Sequence, residues 1–166
     1  MLSVPDDDLK AHYNTVFLPN TVTLDNIDLL LQQHPITPAN SLSILASSCT
    51  ALKADFNNYL LDSYQTLEFT KERLLYVDIG NMARFVVRQF KHQQTDCFNP
   101  IFSTAEQLLL KGDIETQNLI IIGFLEDIQN LAGNYGMNYH HGFDQWLRPH
   151  SKKAWQELID LWENKK

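Results

Sequence analysis

The chain has 166 residues and a mass of 19.2 kDa, which is enough for one domain with its own hydrophobic core. Hydrophobic residues make up 44% and charged residues 20%, so disordered, collagen-like and low-complexity classes are excluded. The formal net charge of -7 has the wrong sign for a protein that binds nucleic acid by neutralising phosphates, and we therefore expect no nucleic-acid partner.

The sequence predicts a soluble, cytoplasmic protein without a membrane partner. Residues 6–8 are three aspartates in a position where an export signal would carry positive charge. The longest apolar run, within 119–125, falls short of the roughly 20 residues of a membrane-spanning helix. Cys49 and Cys97 are too few and too far apart for a disulfide framework or a thiolate zinc site, which predicts two reduced, partly buried thiols.

In the first third of the chain, the sequence predicts an irregular arm followed by two helices. Residues 1–23 contain two prolines and predict the arm, and the apolar spacing over 24–34 predicts a short helix. Thr37 before Pro38 is a helix start signal, because the hydroxyl can cap free amides and the proline pre-sets φ. That helix is expected to run toward Leu61, with one break allowed within it.

Two more helices are predicted in the middle of the chain. Apolar residues over 67–90 indicate a long helix, in which Gly80 marks a kink or a close crossing with a neighbouring helix. A helix over 99–110 is expected to start at an Asn–Pro pair and to end at Gly112, since glycine is common after helix C-termini.

The next helix is expected to be the central one. Asp113 can cap it, and its predicted span of 114–132 is apolar on nearly all sides within 119–125, which indicates the most buried element. A loop rich in glycine and aromatic residues follows over 133–142, and a short helix is predicted over 143–147.

A last helix is expected to open at Ser151. Its Trp155 and Trp162 lie seven residues apart and therefore share one face, which predicts that both dock the helix onto the body. Strand signals are scarce, so the predicted fold class is all-α. We expect a single domain over 1–166, built as an antiparallel helical bundle or an irregular helical-hairpin stack of about six to seven helices.

The loop histidines supply the best case for a metal site. His140, His141 and Asp144 are suitable ligands for zinc or iron. Adjacent residues of a loop point in different directions, however, and a helical metal motif places its ligands at i and i+4. We therefore expect no metal ion or other cofactor and no catalytic residue. A metal-dependent hydrolase, with these three residues and Glu126 converging in a helical bundle, stays open as an alternative.

Carboxylates are frequent in the second half of the chain: Glu106, Asp113, Glu115, Glu126 and Asp127. A carboxylate pair can do acid–base chemistry, but this requires a pocket and perturbed pKa values. The other interpretations are a solvated face and a surface that binds another protein.

Aromatic side chains accompany these acids around the glycine-rich loop. Phe143 and Trp146 are expected in the core, because large aromatic side chains are highly buried on average, and Tyr135 is the candidate for an exposed partner-binding residue.

A small basic edge is also predicted at the end of the helix over 67–90 and just beyond it. It is formed by Arg84, Arg88, Lys91 and His92. This edge can hold an anion, or it is the solvated side of the helix.

Three short segments carry a resemblance to a known family: residues 76–83 (YVDIGNMA), residues 122–127 (IGFLED), and Trp146-Leu147-Arg148-Pro149 with Trp155 downstream. On these segments the chain resembles a family of bacterial all-helical proteins that includes many encoded beside polymorphic toxins and regarded as immunity proteins. The most family-like part of the chain is 67–162.

This resemblance implies a cytoplasmic, non-catalytic immunity protein of bacterial competition, which binds and neutralises a cognate toxin. The acidic balance fits physically, because toxins that act on nucleic acids are basic and would be steered toward an anionic inhibitor. No family motif assigns the interface, and a homodimer stays open. The residues expected to bind the partner are Asp113, Glu115, Glu126, Asp127, Tyr135 and Asp144. A helical adaptor or scaffold, which would expose an apolar channel instead of an acidic face, is a further alternative.

Overall fold

The fold of this protein, in a computed structural model that describes residues 36–164, is all-α, as the sequence predicts. Within that range there are six helices and no strand. They are α1 (Pro38–Ala46), α2 (Thr50–Tyr64), α3 (Leu75–Lys91), α4 (Phe98–Lys111), α5 (Ile114–Asn118, π-helical Leu119–Leu125 and Glu126–Asn134) and α6 (Pro149–Glu163). The predicted arm over 1–23 and the predicted helix over 24–34 lie outside the described residues. None of the described helices is long and apolar enough to span a bilayer.

The predicted start of α1 is confirmed. The Thr37 hydroxyl accepts a hydrogen bond from the Asn40 amide at 3.3 Å, and the Asn40 side chain accepts one from the Thr37 amide at 2.7 Å. Pro38 occupies the first turn, where its missing N–H costs nothing. The break allowed within this helix falls between Ala46 and Thr50, and α2 then continues to Tyr64.

The predicted helix over 67–90 is wrong at its beginning, because α3 starts only at Leu75. The preceding loop is held by a buried charge cluster around Asp78. Its carboxylate pairs with Arg73 Nε at 2.5 Å and accepts hydrogen bonds from the Tyr59 and Tyr64 hydroxyls, both at 2.7 Å. These tertiary partners outweigh the local helical spacing, since a buried carboxylate requires them.

Helices α3 and α5 run side by side in the same direction and cross closely at two glycines. A Cβ on Gly123 would lie only 2.6 Å from Ile79 Cγ2, and a Cβ on Gly80 would lie 2.9 Å from Asp127 Oδ2. The close crossing predicted at Gly80 is thus confirmed. The two glycines fix how near the helices can approach.

The prediction that 119–125 is the most buried stretch is confirmed for most of it, since Phe124 and Leu125 are fully buried. Ile122, in contrast, is exposed. The stretch is π-helical, with i→i+5 hydrogen bonds, and its side chains therefore depart from the 3.6-residue spacing that the sequence suggests.

The short helix predicted over 143–147 is not present, and this part of the chain consists of turns. The Gly142 amide donates to the Asn138 carbonyl at 2.8 Å, and a Cβ on Gly142 would collide with that same oxygen. Phe143 is fully buried and stacks on Phe90 with ring centroids 4.5 Å apart. Trp146 is buried beside it, so the predicted core role of both aromatic residues is confirmed.

Helix α6 begins at Pro149 rather than at Ser151, and a carboxylate from another helix satisfies its first amides. Glu106 of α4 accepts from the His150 amide at 2.7 Å and from the Ser151 amide at 2.9 Å. The free N–H groups of a helix start favour such an anion.

The two tryptophans of α6 do not play the same part. Trp155 is buried, and its indole N–H donates to the Tyr139 carbonyl at 2.9 Å, which confirms its docking role. Trp162 is 57% exposed, so the prediction that it docks in the same way is wrong. It stands two turns further along the helix, where its indole N–H donates to Glu126 Oε1 at 2.8 Å.

The structure joins Cys49 and Cys97 in a disulfide with their Cα atoms 5.8 Å apart, so the prediction of two free thiols is wrong. Cys49 precedes α2 and Cys97 precedes α4. The sequence separation of 48 gives no sign of this proximity, which arises only when α1 packs against α4.

Candidate protein-binding surface

Two of the predicted site residues lie at the start of α5. Asp113 accepts a hydrogen bond from the Thr116 amide at 2.7 Å, which confirms the predicted helix cap. Glu115 is exposed in the first turn, where a negative charge suits the positive end of the helix dipole. Both acids therefore have a local role in stabilising the helix end.

Two further predicted residues lie near the middle of α5, where it crosses α3. Asp127 is half-buried above Gly80. Burial raises the pKa of Asp127, and the charge of Glu126 raises it further, while Arg84 of α3 opposes both effects. Glu126 points its carboxylate toward α6 and accepts the indole N–H of Trp162.

The last two predicted residues lie beyond these. Tyr135 follows the end of α5 and is 62% exposed, with the Lys91 ammonium 5.0 Å from its ring centroid. Asp144 lies in the turns that precede α6 and pairs with His141 Nδ1 at 3.0 Å. At a rise of 1.5 Å per residue, Asp113 and Tyr135 are about 30 Å apart. The predicted residues are thus spread over both ends and the middle of α5, with Asp144 in the turns beyond it, and the six do not form one surface.

The loop histidines do not converge. His140 Nε2 lies 2.6 Å from Glu163 Oε1, which also accepts the Tyr139 hydroxyl at 2.6 Å, whereas His141 faces Asp144. The hydrogen bond from Tyr139 lowers the pKa of Glu163. Over 36–164 no group of three His, Cys, Asp or Glu side chains is placed to hold a metal ion.

The structure does bring Glu126 together with exposed aromatic and aliphatic side chains from three helices. We call this surface the aromatic–acidic patch: Glu126 of α5 and Trp162 of α6 share a hydrogen bond, Ile122 precedes Glu126 by four residues, Tyr76 of α3 lies against Gly123 of α5, and Val77 follows Tyr76 in the chain. Tyr76 Cδ1 would lie 3.2 Å from a Cβ on Gly123, which places the ring against α5. Ile122 and Glu126 are one helical turn apart and therefore neighbours on its surface.

The patch has the composition of a protein-binding centre. Tyr76 is 51% exposed, and Val77 and Ile122 are exposed as well. Exposed apolar side chains that cluster mark interaction surfaces, and Trp and Tyr are the residue types that dominate binding energy. The π-helical stretch of α5 carries Ile122, and such stretches occur often at functional sites.

Four of these five residues escaped the sequence prediction, which included only Glu126. Apolar spacing assigns Trp162 to the face that docks its helix, and nothing local shows that this end of the face stays open. One signal was available, because Ile122 precedes Glu126 by one turn and forms an apolar–acidic pair.

A family model described as a domain of unknown function, DUF7674, matches residues 42–163. The matched range runs from α1 to the end of α6 and includes the whole aromatic–acidic patch. No curated protein and no solved structure matches the chain.

Proposed function

The chain belongs to the DUF7674 family, a domain of unknown function, and we propose that it is a non-catalytic immunity protein that binds and neutralises a cognate bacterial toxin. The interface is the aromatic–acidic patch. The resemblance of three sequence segments to toxin-linked immunity proteins motivates the toxin as the partner.

The hydrogen bond between Trp162 and Glu126 is the observation that carries the proposal. The indole N–H donates to one carboxylate oxygen at 2.8 Å and orients the group, while the other oxygen can accept from a partner's arginine or lysine. The exposed rings of Trp162 and Tyr76 offer faces for the same cations. A basic protein surface is the complement of this chemistry.

The charge of the whole chain supports the same partner. A net charge of -7 steers a basic toxin toward the inhibitor and raises the association rate at low salt. Rim acids such as Glu115 would contribute mainly to this long-range steering, whereas Glu126 would contribute to the contact itself.

We place the protein in the cytoplasm, where an immunity protein would meet its toxin. Thiols are kept reduced in that compartment, so the Cys49–Cys97 disulfide would there be exposed to reductants. The patch contains neither cysteine, and we expect toxin binding with and without the disulfide.

Co-expression with the product of an adjacent toxin-like gene tests the proposal. Growth should be rescued by the wild-type chain and lost with Glu126→Lys or Ile122→Asp, both of which change exposed or half-buried side chains and should leave the fold intact by circular dichroism. Glu115→Lys is the matched control, since it makes the same charge change on the same helix about 16 Å away.

Two results would overturn the proposal. Failure of the wild-type chain to rescue growth would remove the toxin as partner. Rescue by Glu126→Lys together with loss of rescue by Glu115→Lys would place the interface at the start of α5 instead.

The competing prediction of a metal-dependent hydrolase has a direct test. His140 and His141 face different carboxylates, and Glu126 faces Trp162, so the three side chains would have to rearrange to share an ion. Stoichiometric zinc, iron or manganese in the purified protein would contradict the non-catalytic proposal.

A further inference from the structure

A separate concave feature lies near the C-terminal ends of α3 and α5, about 15 Å along the helices from the aromatic–acidic patch. We call it the basic groove. It has a volume of about 320 Å³ and is lined by Arg84, Val87, Arg88, Lys91, His92, Leu131 and Tyr135. This volume lies at the lower end of the range for sites that hold small molecules.

The groove has an apolar floor and a cationic rim. Val87 is buried and Leu131 half-buried at the floor, and the Tyr135 ring forms one wall. The Lys91 ammonium lies 5.0 Å from the centroid of that ring, which holds the charge over the groove. Ligand sites combine such apolar linings with a few polar groups that fix orientation.

The charges of the rim are only partly compensated. Arg88 pairs with Asp55 at 2.8 Å, whereas neither Arg84 nor Lys91 forms an ion pair with any carboxylate in the described part of the chain. Asp127 acts on Arg84 from beyond the groove, above Gly80. Two cations without an ion-pair partner line one concavity in a protein whose net charge is -7.

The helix dipole explains the position of only one of these two cations. Lys91 lies in the last turn of α3, where a positive charge stabilises the helix end. Arg84 lies seven residues earlier, about 10 Å back along the axis and outside the reach of that effect. Its nearest counter-charge is Asp127 beside Gly80, and its side chain also lines the groove, where it can bind an anion.

We propose that the basic groove binds a small phosphate monoester that also carries a flat ring, such as a nucleoside monophosphate. A phosphate monoester has a charge of about -1.5 to -2 at neutral pH, which suits the two cations of the rim that have no carboxylate within ion-pair distance, and the guanidinium of Arg84 suits its oxygens. The ring would lie on Val87 and Leu131 beside Tyr135. This site is independent of toxin binding.

Calorimetric titration of the full chain tests the proposal, with adenosine monophosphate as the probe and with adenosine and inorganic phosphate as its two halves. We expect saturable binding of adenosine monophosphate and at least about tenfold weaker binding of either half. Arg84→Gln and Lys91→Gln should each weaken binding about tenfold, as the loss of a charge-assisted hydrogen bond does. Lys152→Gln is the matched control, since it removes an exposed charge of α6 and should leave the affinity unchanged.

Absence of saturable binding by the wild-type protein would overturn the proposal. If adenosine bound as tightly as adenosine monophosphate, the proposed role of the cations would be wrong. If inorganic phosphate bound as tightly as adenosine monophosphate, the proposed role of the apolar floor would be wrong. An equal loss of affinity in Lys152→Gln would show that net charge alone, rather than the groove, attracts the probe.

Discussion

Glu106 illustrates how one side chain can connect two helices. It accepts hydrogen bonds from the His150 and Ser151 amides and from His150 Nδ1, the last at 2.8 Å. Burial alone would raise the pKa of Glu106, but these hydrogen bonds outweigh burial and hold the pKa below its ordinary value of 4.5. The ionised carboxylate thereby fixes the start of α6 on α4.

We predict that Glu106→Gln lowers the free energy of unfolding by about 1–3 kcal/mol at neutral pH, because it removes charge-assisted hydrogen bonds. A carboxylate with a lowered pKa in the folded state stabilises above its ordinary pKa of 4.5, and this contribution disappears as the pH falls through the folded-state value. Urea unfolding at a series of pH values measures this. Wild-type stability should fall more steeply in acid than that of the variant, and parallel curves would contradict the assignment.

The pKa of Asp127 is shifted in the opposite direction to that of Glu106. Burial and then the charge of Glu126 raise its pKa, so its ionised form is destabilising in the folded protein and this cost disappears as the pH falls through its folded-state pKa. We predict that Asp127→Asn is neutral or stabilises by up to about 1 kcal/mol at neutral pH. Thermal unfolding measures the change, with Asp62→Asn on the exposed face of α2 as control. A clear loss of stability in Asp127→Asn alone would show that its charge supports the crossing.

At the scale of elements, the crossing of α3 and α5 depends on Gly123. We predict that Gly123→Ala destabilises the protein by about 1–3 kcal/mol, because the new methyl group would overpack Ile79. This cost exceeds the roughly 1 kcal/mol that alanine gains over glycine in a helix. Urea unfolding measures the change. Gly133→Ala in the same helix meets only the Tyr139 ring and should cost less; equal costs would mean that the crossing tolerates separation.

The disulfide links the corner between α1 and α2 to the start of α4. We predict that reduction lowers the free energy of unfolding by about 2–4 kcal/mol, since the bond closes a long loop in the unfolded chain. Denaturation with and without reductant measures this. The double variant Cys49→Ser, Cys97→Ser should match the reduced protein and should not respond to reductant, and an equally stable oxidised and reduced wild type would contradict the prediction.

Features that depend on residues close by in the sequence were predictable from it. Features that depend on tertiary contacts were not. The caps at Thr37 and Asp113 depend on residues three positions away, and both predictions are confirmed. The late start of α3 depends on partners of Asp78 up to 19 residues away. For the candidate site, Glu126 was predictable as a charge, but the exposure of Trp162 depends on where α6 ends against α5.

At the scale of the whole molecule, the net charge conceals two different surfaces. The aromatic–acidic patch and the basic groove both lie along α3 and α5, at opposite ends of the region where these helices pack. Composition alone indicates only an acidic balance, whereas the basic edge predicted at Arg84, Arg88, Lys91 and His92 lines the groove. The folded chain separates an aromatic, acidic surface from a cationic concavity, which we propose bind a cationic protein and a small anion, respectively.

The central claim is that the Trp162–Glu126 pair neutralises a toxin, and the dissociation constant for the adjacent-gene toxin tests it most directly. We predict that Glu126→Lys and Trp162→Ala each weaken binding by at least about 30-fold, as expected for residues at an interface centre, while Glu115→Lys changes it by less than about threefold. Wild-type affinity in both patch variants, with their fold intact, would contradict the claim.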